Sequence, residues 1–239
     1  MICMKNVFLF VLCFISALSC FGQEIDVNQE EKKVLDSLYR EDQFYVAVTY
    51  NFLLNTPSGF SQSDFSGGIH MGYTRDMPIN KRRNIAIGLG LGYSVNLFNH
   101  NLFIGEEENT EQSIFNRLNG VDFKRNRFNT HLVEAPLEFR WRTSVPETHK
   151  FYRIYTGLRV GYLYHFSSNF DQGDLQVRQT KIDELERWRF GATFTFGWNT
   201  FNFHFYYSLN TLFDKNALID DSDKVNLNPV KVGLIFYIL

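Results

Sequence analysis

The chain has 239 residues, with 24 Lys plus Arg against 26 Asp plus Glu, a net charge of −2. That balance excludes a nucleic-acid binder that works by displacing phosphate counterions, and 25 Phe with 12 Tyr is too much ring surface for a disordered chain. A mean hydropathy of −0.22 excludes a bundle of transmembrane helices but not a transmembrane β-barrel, in which only every second residue meets lipid.

Residues 1–22 read as an export signal. Lys5 precedes an apolar run from Val7 to Ile15, which is short for a spanning helix, and small residues at Ser19 and Gly22 suit a peptidase. Cleavage is expected after Gly22; lipidation of Cys20 is the alternative. All three cysteines (Cys3, Cys13, Cys20) fall in this segment, so the mature chain is expected to hold no disulfide or thiolate site. Its loss removes Lys5 alone and leaves 23 basic against 26 acidic residues.

Residues 23–42 form a polar segment expected in the periplasm. Within it Val34, Leu35, Leu38 and Tyr39 have the spacing of a short amphipathic helix. Residues 43–239 follow a different rule, a period of two.

Eight segments alternate, near 43–53, 64–75, 85–97, 128–142, 151–166, 187–198, 201–211 and 229–239. The clearest is Ile85 to Leu97: Ile85, Ile87, Leu89, Leu91, Tyr93, Val95 and Leu97 share one face, and Ala86, Gly88, Gly90, Gly92, Ser94 and Asn96 the other. Links near 76–82, 143–150 and 199–200 are short. Those near 54–63, 98–127, 167–186 and 212–228 are long and polar or charged. This predicts an all-β, eight-stranded antiparallel up-and-down transmembrane barrel, with short periplasmic turns, long extracellular loops and both barrel ends in the periplasm. A last strand ending at Phe236-Tyr237-Ile238-Leu239 is expected to close against the first.

A soluble lipocalin-like barrel also alternates. The composition of the second face separates the two. Gly, Ser, Thr and Asn suit a narrow lumen better than a wetted surface, and Phe194, Phe196, Phe201 and Phe203 suit lipid. Tyr73, Trp141, Tyr152 and Trp198 are expected in an aromatic girdle at the turn end, and Tyr164, Phe166 and Trp188 in one at the loop end.

Inward positions of the fourth and fifth strands carry Glu134, Glu138, Arg140 and Arg142, and Arg153, Arg159 and His165. Opposite charges on adjacent strands predict a structural charge network that fills the bore, with a proton or substrate path as the alternative. Pro136, also inward, removes a ladder hydrogen bond and predicts a bulge or bend. Outside the barrel wall, Leu102, Phe103, Ile104, Ile114 and Phe115 lie in the longest loop beside the acidic run Glu106-Glu107-Glu108, and suggest packing or a partner surface.

No catalytic or cofactor motif appears. His70, His100, His131, His149, His165 and His204 lack metal-ligand spacing, and the alternating glycines of 88–92 sit within a strand, not at a dinucleotide-binding turn. A rim enzyme acting on lipid would draw on His131, His165 and Ser167 or Ser168; a narrow pore is a further alternative. No cofactor or metal is expected.

The segment Leu132-Val133-Glu134-Ala135-Pro136-Leu137-Glu138-Phe139-Arg140-Trp141 resembles the "L-E-x-P-L" strand of the PorT-like outer-membrane β-barrel family of Bacteroidota. The resemblance extends over the mature barrel. It implies a non-enzymatic protein of the cell outer membrane, without catalytic residues. As partners it implies outer-membrane lipid and other envelope proteins, as in type IX secretion, gliding or barrel assembly.

Overall fold

Each alternating segment becomes a strand with one buried and one exposed side. A computed structural model describes residues 42–62, 64–106, 113–143, 151–219 and 223–238. The export signal, residues 23–41, the acidic run beyond Glu106 and the link over 144–150 with His149 lie outside the described residues.

Thirteen strands occur among the described residues: β1 (Gln43–Leu54), β2 (Gly67–Pro78), β3 (Ile85–Asn99), β4 (Leu102–Glu106), β5 (Ser113–Arg117), β6 (Arg125–Arg142), β7 (Tyr152–Gln172), β8 (Leu175–Gln179), β9 (Trp188–Trp198), β10 (Phe201–Ser208), β11 (Leu218–Ile219), β12 (Asp223–Lys224) and β13 (Asn228–Ile238). Eight of them form the expected barrel, in the order β1, β2, β3, β6, β7, β9, β10, β13. All neighbours run antiparallel, and β13 closes on β1 from Phe44 opposite Ile238 to Leu54 opposite Asn228. Closure leaves no free edge in a solvent that cannot hydrogen-bond it.

Side-chain direction matches a membrane wall. On β1 Phe44, Val46, Val48, Tyr50 and Phe52 are exposed, while Tyr45, Ala47, Thr49 and Asn51 are buried. The same holds around the wall, where Leu137, Phe139, Phe194, Phe196, Phe203 and Phe205 face outward. A greasy exterior around a polar bore is the reverse of a lipocalin-like carrier.

Three expectations need correction. The first concerns the long connections, expected as loops. They carry five further strands, and β12, β11, β5 and β4 make a small separate sheet. The apolar loop residues explain this. Leu102, Ile104, Phe115, Phe213, Ile219, Val225 and Leu227 join Phe98, Phe128 and Phe166 in one buried cluster at the loop end of the bore. Burying those side chains offsets the entropy of ordering the loops.

The second concerns Pro136. It faces inward beside Gly90, and the β3–β6 ladder lapses there as expected, with Gly90 and Leu91 unpaired in it; but the ladder resumes in the same register, from Leu89 opposite Leu137 to Gly92 opposite Glu134, so Pro136 makes no bulge. The bulge lies elsewhere, between β6 and β7. His131 pairs with His165 and Leu132 with Leu163, so Tyr164 is an extra residue. The third correction follows. Past Tyr164 the alternation of β7 inverts, so His165 sits on the outer wall beside His131 and is not lumenal. Phe166 turns inward, fully buried in the cap, and is not in a girdle.

Candidate functional site

The bore is filled in three layers. At the turn end Asp76, from β2, accepts hydrogen bonds from Arg142 through both oxygens, Nη1 to Oδ1 at 2.9 Å and Nη2 to Oδ2 at 2.8 Å. Arg142 also donates to the Arg83 carbonyl at 3.1 Å. Arg140 reaches the same carboxylate at 3.4 Å and donates from Nε to Glu138 at 3.1 Å. Its guanidinium lies over the Tyr155 ring, 4.7 Å from the centroid. Arg153 stacks over Phe151 at 4.6 Å and Tyr237 at 5.0 Å.

The middle layer centres on Arg159 and Glu134, 3.3 Å apart and both buried. Arg159 lies over the Tyr45 ring and Lys231 over the Tyr206 ring. Arg189 donates to Ser208 Oγ at 2.6 Å, to the Asn210 carbonyl at 2.9 Å and to the Thr211 carbonyl. Two histidines are tied to threonines, His70 to Thr49 at 3.0 Å and His204 to Thr195 at 2.8 Å. The void beside Arg189, Tyr206 and Lys231 is about 20 Å³, the scale of a single water.

Glycines make room for these groups. A Cβ on Gly92 would lie 2.1 Å from the Tyr45 hydroxyl, and one on Gly88 2.5 Å from Arg140 Nε. Gly92 and Gly88 of β3 are thus slots for large side chains from β1 and β6.

The third layer is the cap. Phe98 stacks on Phe128 at 4.8 Å and Phe128 on Phe166 at 5.4 Å. Phe115 meets Phe213 edge-on at 5.2 Å. His100 lies against Phe128 and Phe60. Burial drives its imidazole down to about 3. Its Nδ1 accepts the Leu102 N–H at 3.1 Å, and Asn126 donates to the His100 and Leu102 carbonyls.

Of the sequence-predicted lumenal residues, Glu134, Glu138, Arg140, Arg142, Arg153 and Arg159 are buried in the bore. Asp76, Arg189 and Lys231 had not been singled out. Extending the inward series His70, Gly72, Thr74 by one step reaches Asp76, and the same parity reaches the other two.

The girdle residues Tyr73, Trp141, Tyr152, Tyr164, Trp188 and Trp198 are all on the outer wall. Tyr152 stands opposite Trp198 near the turn end, and Tyr162 opposite Trp188 near the loop end. A groove of about 520 Å³ lies in the wall among Trp141, Tyr152, Trp198 and Phe201. Toward the loop end, Tyr93 Oη shares hydrogen bonds with His131 Nδ1 at 2.8 Å and Tyr164 Oη at 2.7 Å. His131 and His165 rings are 5.2 Å apart. The serines do not join them: Ser167 Oγ accepts from Asn169 at 3.2 Å, and Ser168 is buried.

A closed barrel with a lipid-facing aromatic wall and a filled bore defines an integral outer-membrane protein. The family described as the outer membrane protein beta-barrel domain matches residues 23–214, and the chain belongs to it. A comparison with curated proteins gives no match.

Proposed function

We propose that this protein is a non-enzymatic accessory subunit of an outer-membrane machine, in the PorT-like group of Bacteroidota, serving type IX secretion and gliding or barrel assembly. The observation that carries this reading is the doubly sealed bore. A charge network fills its middle and turn end, and a buried aromatic cluster covers its loop end. A barrel so filled works through its surfaces rather than by passing solutes. The likeness of Leu132 to Trp141 to the PorT-like strand supports the choice of machine. In this reading the barrel is exported by its leader, the loop-end cap faces the cell exterior, and other envelope proteins dock on the cap or on the N-terminal segment.

The test is mild detergent extraction of the protein with an affinity tag in an exposed loop, followed by native mass measurement and by secretion assays on a deletion strain. A stoichiometric envelope complex and a secretion or assembly defect are expected. A lone monomer together with normal secretion and assembly contradicts the proposal.

A further inference from the structure

On β6 the outward residues change character along the strand. Trp141, Phe139, Leu137 and Val133 are apolar, His131 is the turning point, and Asn129, Arg127 and Arg125 follow. Trp141 and His131 are ten residues apart. At about 3.4 Å per residue and about 40° of tilt that is roughly 26 Å of height, close to the ~25 Å apolar band of outer-membrane barrels. The Tyr93–His131–Tyr164 cluster therefore marks the loop-end boundary of hydrocarbon. Arg127 and Arg125 stand where lipid headgroups lie.

Neighbouring strands extend this basic patch. Arg127 pairs with Asn169 and Arg125 with Asp171 on β7, and Asn169 pairs in turn with Arg178 on β8. The Lys124 amide donates to the Asp171 carbonyl at 2.9 Å, which brings Lys124 to the same corner. Arg125, Asn169, Asp171, Gln176 and Arg178 line a cleft of about 290 Å³. The carboxylates around this corner include Asp171, which accepts the Gly173 N–H at 3.2 Å, Asp174 in the β7–β8 turn, Asp122 ahead of Lys124, and Glu106, which accepts Gln179 Nε2 of β8 at 2.6 Å. Among the described residues none of them forms an ion pair with Arg125, Arg127 or Arg178, and Arg127 Nε has no hydrogen-bond partner.

We infer that this corner binds a phosphate-bearing glycolipid of the outer leaflet. Acyl chains lie against Val133 and Tyr162, the sugar ring rests on Tyr164 and His131, and its phosphate enters the fork of Arg125, Arg127 and Arg178. Planar guanidinium groups bind phosphate in paired hydrogen bonds, and the low-dielectric boundary below them strengthens the attraction. The inference rests on the barrel's membrane and on an outward loop end, and is independent of the subunit role.

The test is native mass spectrometry of the full mature protein in neutral detergent, titrated with lipid A carrying its phosphates and with enzymatically dephosphorylated lipid A. Phosphorylated lipid A should bind at least tenfold more tightly, and R125A/R127A/R178A should abolish that difference while keeping the heat-modifiable gel shift of a folded barrel. If the triple variant fails to fold, R178E, on a strand outside the barrel wall, should weaken binding severalfold. Equal affinity for the two lipids, unchanged binding by the variants, equal binding of phosphatidylglycerol, or displacement by millimolar inorganic phosphate would each overturn the inference.

Discussion

Arg142 and Asp76 form a two-pronged ion pair from β6 to β2, past the intervening β3, with both side chains fully buried. Arg140 leans on the same carboxylate. One acid thus ties two guanidinium groups at the turn end of the bore. Asp76→Ala leaves those cations without it, at a cost of about 3–5 kcal/mol for a broken buried pair. Urea unfolding in lipid vesicles should show a lower midpoint with an unchanged slope.

In the middle layer, Arg159→Leu removes the cation nearest Glu134 and should lower the temperature at which the folded band disappears on gels. Glu134→Gln in the same chain should recover part of the loss, giving a coupling of roughly 0.5–3 kcal/mol in a double-mutant cycle. Additive losses would show that the two side chains act separately.

The Gly92 slot makes a compensation testable. Gly92→Ala sets a methyl against the Tyr45 hydroxyl, an overpacking worth about 1–3 kcal/mol. Tyr45→Phe deletes that hydroxyl, so the double variant should be more stable than Gly92→Ala alone in the same unfolding assay.

His100 gives the cap a pH dependence. Its folded imidazole is held at about 3, below the ordinary 6.5, so the unfolded chain binds the proton first. Its neutral form costs nothing above pH 6.5. As pH falls from there toward 3, stability drops by up to about 1.4 kcal/mol per pH unit. His100→Phe, stacked between Phe60 and Phe128, should flatten the loss between pH 6 and 4 relative to the parent chain.

The sealed bore makes an electrical prediction. Planar-bilayer recordings of the purified barrel should stay at baseline, because Arg140, Arg142, Arg159 and the phenylalanine cap occupy the cross-section. Regular conductance steps would require a path that these side chains block.

The number of barrel strands, the barrel class and most of the inward parity could be read from residues such as Ile85 to Leu97, because a period of two sorts side chains without knowledge of their neighbours. What depended on pairing could not. The Tyr164 bulge is set between β6 and β7, and a single extra residue moved His165 outward and Phe166 inward. The cap was half legible: Leu102, Ile104 and Phe115 were conspicuous as apolar loop residues, but their contact with Phe213 and Val225 joins segments about a hundred residues apart in sequence. The shared partner of Arg140 and Arg142 was also hidden, since Asp76 lies on a strand adjacent to theirs neither in sequence nor in the sheet.

The central claim is that the aromatic face meets hydrocarbon. Every native cysteine precedes residue 23, so single cysteines at Val133, Leu137, Phe139 and Arg125 in the mature protein can each carry a nitroxide label in lipid vesicles. Electron paramagnetic resonance should find the first three accessible to oxygen and shielded from a water-soluble nickel chelate, with the preference reversed at Arg125. Nickel access at Val133, Leu137 and Phe139 equal to that at Arg125 would contradict the account.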